Sequence, residues 1–177
     1  MTEEPADGGD AFRPPQLFAL AASVYVRRDG KILVLKRAGG EVTGGWYIPG
    51  GAHEAGEELE ETACRELYEE SGLVPNGPLT LIGLVPMHVY GTDTIQASYA
   101  CDCATGEVVI SDEHSASRWI GPREFRKRYF SDEAIEAVAA NSERVGALIR
   151  AVRDDLDRYI AWAERENEFT RLRELSS

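Results

Sequence analysis

Residues 49–73 read PGGAHEAGEELEETACRELYEESGL, and this stretch decides the fold. It holds eight carboxylates and a single Arg, although like charges at helical spacing repel each other by about 0.2–0.5 kcal/mol per pair. A glycine turn at 49–51 precedes a helix predicted over 57–71, and Gly72 provides its C-terminal cap. So much negative charge on one short helix indicates that the segment binds a positively charged partner.

The carboxylates of this helix follow a helical spacing. Glu66, Glu69 and Glu70 stand at i, i+3 and i+4, so they share one face, and an apolar stripe through Leu59 and Leu67 lies beside them. Oxygen ligands of this kind suit Mg²⁺, whose shell is usually completed by water and substrate phosphates. An acidic helix face is more often simply solvated. The side-chain-free turn before the helix favours the metal site, because a carbonyl oxygen or a phosphate can approach its backbone.

Strand patterns surround the helix. Two apolar strands between residues 17 and 37 are predicted to form a hairpin with its turn at Asp29 and Gly30. A glycine-rich loop follows, with a short strand at 46–48. Further strands are predicted at 79–91, 93–103, 107–110 and 116–120, and another helix begins near residue 121. This order predicts an α/β fold with a mixed sheet rather than a doubly wound parallel one.

The C-terminal part is predicted to be helical, because apolar residues recur at spacings of three and four over 142–173. One unbroken rod of this length would be about 48 Å long, which exceeds the width of the domain. That length favours a homodimer through this helix or a break near 154–157, and packing against its own domain is the alternative. The chain then divides into a disordered acidic leader at 1–16, a main domain at 17–130 and a C-terminal helical extension at 131–177.

Charge and composition exclude some classes of function. The net charge is −12, and its acidic surplus argues against a long nucleic-acid partner while leaving room for a small phosphorylated ligand held through a cation. No apolar run approaches the roughly 20 residues that a membrane helix needs. Because the N-terminus lacks a secretory pattern and Cys64, Cys101 and Cys103 are too few and odd in number for a disulfide framework, we expect a cytoplasmic protein.

Residues 51–73 resemble the Nudix box of the MutT-like hydrolases, G-x5-E-x7-R-E-U-x-E-E-x-G-U with U aliphatic. Gly51, Glu57 and the run at 65–73, RELYEESGL, match all nine specified positions. The resemblance extends over roughly residues 18–130. It implies a Nudix-type α/β/α sandwich with a mixed β-sheet, to which the C-terminal helical extension is added.

The resemblance also implies an activity. It is the hydrolysis, with Mg²⁺ or sometimes Mn²⁺, of a phosphoanhydride bond in a nucleoside diphosphate linked to another moiety, with release of a nucleoside monophosphate. The partner would then be a small nucleotide. A non-catalytic Nudix-like module that senses a nucleotide is the alternative.

Carried over to this sequence, the resemblance assigns the metal ligands to Glu66, Glu69 and Glu70. The carbonyl of Gly50 or Gly51 is a possible further ligand.

Two more residues of the box, Arg65 and Glu57, would hold the carboxylates in place. The general base is left open between Glu66 and Glu70 in the box and Glu113 in the later loop, with Asp112 and His114 behind Glu113.

Three residues are candidates for binding the substrate. Arg37 stands at the end of a strand and could contact a phosphate, and Trp46 could stack on a base. Tyr90 lies 17 residues beyond Leu73, a spacing that resembles the diadenosine-polyphosphate hydrolases. For each of the three, strand packing or strand-end charge is the alternative.

Overall fold

The computed structural model describes residues 16–89, 91–102 and 106–174, except the side chains of residues 172 and 173. The predicted leader at 1–16 lies outside these ranges apart from its last residue. Tyr90 and Cys103 also lie outside them.

The first two strands, β1 (Ala19–Arg28) and β2 (Lys31–Arg37), form the predicted hairpin. Its turn residues Asp29 and Gly30 have φ values of 50° and 72°. Positive φ at both central residues is the geometry that an Asp-Gly pair favours in a two-residue hairpin turn.

The described residues form one seven-stranded sheet with the central order β3-β2-β1-β6-β5, in which β4 pairs with β1 and β7 with β2. β1 and β6 run parallel and the other pairs run antiparallel, so the sheet is mixed, as predicted. The remaining strands are β3 (Trp46–Tyr47), β4 (Gly50–Ala52), β5 (Thr80–Val89), β6 (Thr92–Asp102) and β7 (His114–Ile120).

Helices cover both faces of the sheet. They are α1 (Leu59–Ser71), α2 (Pro122–Tyr129), α3 (Asp132–Ala139) and α4 (Glu143–Glu174). Helix α1 packs on one face, over a core that we call the α1-side core: Ala22, Val24, Val26, Leu33, Leu35, Ala63, Leu67, Leu73, Ala97, Tyr99 and Cys101. Helices α2 and α4 cover the other face, over the α4-side core: Tyr25, Ile32, Val34, Ala100, Ile120, Phe125, Phe130, Leu156 and Tyr159. The α/β/α sandwich with a long C-terminal helix is therefore confirmed.

The ends of α1 match their sequence signals. Glu58 caps the N-terminus in a reciprocal capping box with Glu61, whose Oε2 accepts a hydrogen bond from the Glu58 N–H at 2.8 Å. Gly72 ends the helix in the left-handed conformation, with φ 69°. These caps fix the position of the acidic face between them.

Two local predictions were wrong. Residues 50–52, expected in a loop, pair with β1 as β4, and a Cβ at Gly50 would lie 2.6 Å from the Ala22 carbonyl oxygen, so the close pairing needs glycine. Residues 107–110, expected as a strand, form none. Val109 instead donates its N–H to the Ser71 carbonyl at 2.9 Å, because this apolar run packs over the end of α1.

Helix α4 also differs from expectation, because it continues without a break through residues 154–157. Asp154 and Asp157 are exposed, whereas Asp155 is buried and accepts hydrogen bonds from the sheet. Since Asp154 and Asp157 are solvated and Asp155 is hydrogen-bonded to the sheet through Oδ2, the helix has no reason to break there. It packs on β5, α2 and α3 of its own chain.

Candidate active site

Glu70, in the last turn of α1, lies at the centre of the site and is almost completely buried. Its Oε2 accepts a hydrogen bond from the Gly50 N–H at 3.0 Å. Its Oε1 lies 3.7 Å from Arg37 Nη1 and 3.6 Å from His114 Nε2. The box helix, the glycine turn and two strand ends therefore meet at one carboxyl.

Burial perturbs this carboxyl strongly. The pKa of Glu70 is raised from 4.5 to about 8, mainly by burial and also by the negative charges of Glu66 and Glu113, against the lowering effects of the Gly50 N–H and Arg37. Without additional positive charge, the Glu70 carboxyl therefore retains a proton near neutral pH. Strongly perturbed carboxyls in clefts are typical of functional sites.

Glu66 lies directly on the glycine turn. A Cβ at Gly51 would be 2.5 Å from the Glu66 carboxylate, so only glycine leaves room for that side chain to lie against the backbone. The pKa of Glu66 is raised, first by burial and then by the charges of Glu69 and Glu113, although Arg65 opposes this. Glu66 and Glu70 thus both lie beside the glycine turn, and in each of them nearby donors only partly offset the rise in pKa that burial causes.

Arg65 ties the acids of the box together. Its Nε donates to Glu57 Oε1 at 2.7 Å, and its Nη1 donates to Glu66 at 2.7 Å and to Glu69 at 3.1 Å. Its Nη2 donates to the Ala52 carbonyl at 2.9 Å. The hydrogen bonds from Arg65 and then Thr62 lower the pKa of Glu57 to about 2. This geometry suits the holding role expected for Arg65 and Glu57, which stays a prediction.

A β-bulge brings Arg37 to the site. The register between β2 and β7 shifts between Lys36 and Arg37, so that Arg37 pairs with His114. Arg37 Nη1 donates to Glu113 Oε2 at 2.9 Å, and burial, followed by the Arg37 charge, lowers the pKa of His114. Arg37 and Glu113, both predicted site residues, therefore lie together beside Glu70.

The predicted metal ligands do not all converge. Among residues 16–89, 91–102 and 106–174, no three His, Cys, Asp or Glu side chains are arranged to hold a metal ion. Glu66 and Glu70 lie side by side, but Glu69 turns towards Arg65 and is 57% exposed. The donor chemistry nevertheless fits a hard divalent cation, because crowded carboxylate oxygens with raised pKa values lie against the turn backbone. The ligand assignments stay predictions.

Trp46, another predicted substrate residue, packs away from Glu70. The Trp46 ring contacts the Arg118 guanidinium, 5.0 Å from the ring centroid, and lies 6.0 Å from the Tyr129 ring, packed against the α4-side core. Its neighbour Tyr47 lines the cavity described next. Tyr90 lies outside the described residues.

A cavity of about 170 Å³, which we call the central cavity, opens from this cluster. Arg37, Gly50, Glu70 and His114 line one part of it, and its polar lining also includes Ser23, Tyr25, Gln96 and Asp155. Its apolar walls include residues from several elements, among them Tyr47, Ile48, Met87, Leu148, Val152 and Leu156. The carboxyl cluster therefore adjoins a partly enclosed space covered by α4.

Sequence reasoning missed the polar lining of the central cavity. Tyr25 Oη and Ser98 Oγ donate to Asp155 Oδ2 at 2.9 and 2.8 Å, and Gln96 Nε2 donates to Ser23 Oγ at 2.9 Å. One signal was present, since Asp155 stands on the apolar stripe of α4, three residues after Val152. A carboxyl there must be buried, and buried carboxyls need partners.

Comparison with known proteins agrees with the fold and the box. The family model of the NUDIX domain matches residues 17–140. An ADP-ribose pyrophosphatase of Methanocaldococcus jannaschii is 30% identical over 119 residues, covering 66% of this chain and 70% of the relative. A MutT-like protein of Streptomyces ambofaciens is 32% identical over 135 residues, covering 74% and 81%.

Among solved structures, a MutT protein of Methanosarcina mazei Go1 superposes with a TM-score of 0.64 over 88% of this chain and 99% of that one, at 21% sequence identity. The chain belongs to the Nudix family, as its box predicted. By this homology it is a Nudix hydrolase of the pyrophosphatase type.

None of the helices in the described part of the chain is both long enough and apolar enough to cross a bilayer.

Proposed function

We propose that this chain hydrolyses a phosphoanhydride bond in a nucleoside diphosphate linked to another moiety and releases a nucleoside monophosphate. The observation that carries the proposal is the cluster of Glu66, Glu70 and Glu113 with Arg37, beside the glycine turn and open to the central cavity. The similarity to an ADP-ribose pyrophosphatase supports this class of substrate. A small nucleotide suits an acidic protein, because its few phosphates need only a few positioned groups for binding and not an extended basic surface.

The proposed cofactor is Mg²⁺, with Mn²⁺ as a substitute. Glu66, Glu69 and Glu70 would hold it, with the carbonyl of Gly50 or Gly51, and Glu69 would have to leave Arg65 to do so. A bound divalent cation neutralises the phosphate oxygens, which otherwise repel an attacking water.

Arg65 and Glu57 would hold the ligands in place. This role is supported by the hydrogen bonds that Arg65 donates to Glu57 and to the Ala52 carbonyl. Residues that orient metal ligands are important for affinity.

The side chains of the cluster have separate proposed roles in the reaction. Arg37 lies between Glu70 and Glu113, where its guanidinium can bind a phosphate oxygen. Glu70, Glu66 or Glu113 takes the proton of the attacking water. With a bound cation keeping it ionised, Glu70 has the best position, because it is buried and bridges the glycine turn and Arg37, whereas Glu113 is 61% exposed.

The activity is tested by incubating the protein with Mg²⁺ or Mn²⁺ and a panel of NDP-sugars, ADP-ribose, dinucleoside polyphosphates and nucleoside triphosphates. We expect release of a mononucleotide by the wild type and by Glu60→Gln, whose side chain lies on α1 away from the cluster, but not by Glu70→Gln. Tight binding of a panel member without any product would favour the nucleotide-sensing alternative.

The division at residue 130, the cytoplasmic location and the homodimer also remain proposals. Because α4 supplies the α4-side core, truncating it would unfold the domain rather than test assembly. Light scattering on the full chain is the suitable measurement, and a monomer at all concentrations removes the homodimer.

A further inference from the structure

Two unsatisfied polar atoms belong to residues that line the central cavity. Among the described residues, the buried side-chain polar atoms without a hydrogen-bond partner are Arg27 Nε, Arg37 Nε and Asp155 Oδ1. Arg37 and Asp155 both line the central cavity. Buried polar groups are nearly always paired in native proteins, so each exception requires an explanation.

The two atoms have opposite requirements. Arg37 Nε is a donor that lacks an acceptor, and it lies beside the carboxyl cluster. Asp155 Oδ1 is an acceptor that lacks a donor, and it lies on the helix that covers the cavity. A ligand that satisfies both carries an anionic acceptor at one end and an N–H or O–H donor at the other, which is the chemistry of a nucleotide with its phosphate at Arg37.

The position of Asp155 is fixed by its other oxygen. Oδ2 accepts hydrogen bonds from Tyr25 and Ser98, and Tyr25 stacks on Tyr159 of α4 with ring centroids 4.0 Å apart. The carboxyl therefore cannot turn Oδ1 towards either hydroxyl without losing a bond. A fixed acceptor of this kind discriminates between ligands that carry a donor and those that do not.

The walls of the cavity favour the base over the sugar as the source of the donor. Side chains from several elements, including Met87 of β5 and Leu148 and Val152 of α4, give it an apolar lining. Flat, largely apolar rings fit such walls, and they are usually recognised by a few hydrogen bonds at one edge.

We propose that Asp155 is a specificity-determining residue that accepts a hydrogen bond from the exocyclic amino group of the substrate's nucleobase. This rests on the proposed function and deepens it, because it assigns the base end of the nucleotide to α4. Residue 155 lies beyond residue 140, where the match to the family model ends.

The test measures binding of mononucleotides to the full chain with Mg²⁺ present, so no turnover is needed. The probes are matched pairs that differ in the amino group: GMP and IMP, AMP and purine riboside monophosphate, and CMP and UMP. The proteins are the wild type, Asp155→Asn and the control Asp154→Asn, whose exposed carboxylate lies one residue away on α4.

We expect at least one amino-bearing nucleotide to bind the wild type and Asp154→Asn about tenfold or more tightly than its partner. In Asp155→Asn, this preference falls to nearly one, while the affinity for inorganic pyrophosphate is unchanged. Tyr25→Phe removes one of the two hydrogen bonds that fix the carboxyl, so it should weaken the preference without changing the affinity for pyrophosphate, and it serves if Asp155→Asn does not fold.

The inference is overturned by no amino preference in the wild type or by an unchanged preference in Asp155→Asn. AMP and dAMP, which differ only in the 2′-hydroxyl, are a further probe pair, and a loss in Asp155→Asn confined to this pair also overturns the inference, because it would assign the acceptor to the sugar. An unchanged preference in Tyr25→Phe overturns it as well, because the orientation of the Asp155 carboxyl would then have no effect on recognition. An amino preference without any hydrolysis would contradict the proposed function alone.

Discussion

Glu70 on α1 and Asp155 on α4 are both buried carboxyls that line the central cavity, but their surroundings differ. Glu70 lies among ionised groups, with Arg37 on one side and Glu66 on the other. Asp155 accepts hydrogen bonds from neutral hydroxyls. Burial is the main reason for the raised pKa of both. The end of the cavity at Glu70, which we call the α1 end, is therefore suited to handling charge and proton transfer. The end at Asp155, which we call the α4 end, is suited to recognising a neutral group.

The largest expected effect is on catalysis at the α1 end. Replacing Glu70 with Gln should lower kcat by about 10²- to 10⁴-fold, the range typical of losing a general base. The melting temperature should not fall, because a neutral amide is no costlier to bury than this carboxyl. Steady-state kinetics and thermal unfolding of Glu70→Gln and Glu60→Gln check this, and full activity in Glu70→Gln would remove Glu70 from the mechanism.

The next effect is on stability at the α4 end. Leu156 is 1% exposed within the α4-side core, so Leu156→Ala should lower the free energy of unfolding by about 2–5 kcal/mol. Phe169→Ala, on the same helix but 59% exposed, should change it by about 0.5 kcal/mol or less. Urea unfolding measures both variants. Equal losses would mean that α4 does not pack as described.

A smaller effect on kcat is expected when the Glu66 carboxylate is displaced without loss of stability. A Cβ at Gly51 displaces only the flexible end of Glu66, so Gly51→Ala should lower kcat about 10- to 100-fold with little change in melting temperature. Gly39→Ala is the control, since no atom lies within 4 Å of its added Cβ. Unchanged kcat in Gly51→Ala would show that the Glu66 position is not critical.

The smallest expected effect is a gradual change of the free energy of unfolding with pH. The folded protein keeps a proton on Glu70 up to about pH 8, whereas the unfolded chain releases it near pH 4.5. Since the folded state binds more protons in this window, the metal-free wild type should lose unfolding free energy as pH rises from 4.5 to 8. Glu70→Gln should lack this part of the slope. Parallel pH profiles of the two proteins in EDTA would contradict the raised pKa.

The α1 end was predictable from the sequence because its signals are local. The box acids, the Gly72 cap and the turn at Asp29 and Gly30 all depend on residues within one element or one turn. By contrast, the glycines of β4 predict a loop, and only the pairing with β1 shows why they are needed.

The α4 end could not be predicted because its contacts span the chain. Tyr25 and Asp155 are 130 residues apart, and Ser98 and Asp155 are 57 apart. Such pairs depend on strand register and helix packing, which no local spacing encodes. No sequence pattern connects Asp155 with the box helix, although its place on an apolar stripe marks it as buried.

The most direct test assays the wild type, Glu70→Gln and Asp155→Asn side by side over one panel of amino-bearing and amino-lacking nucleotide substrates. We predict that Glu70→Gln lowers kcat for every substrate by a similar factor. We predict that Asp155→Asn retains kcat and changes the ranking of kcat/KM among the bases. Turnover by Glu70→Gln at the wild-type rate would contradict the central claim that Glu70 takes part in catalysis.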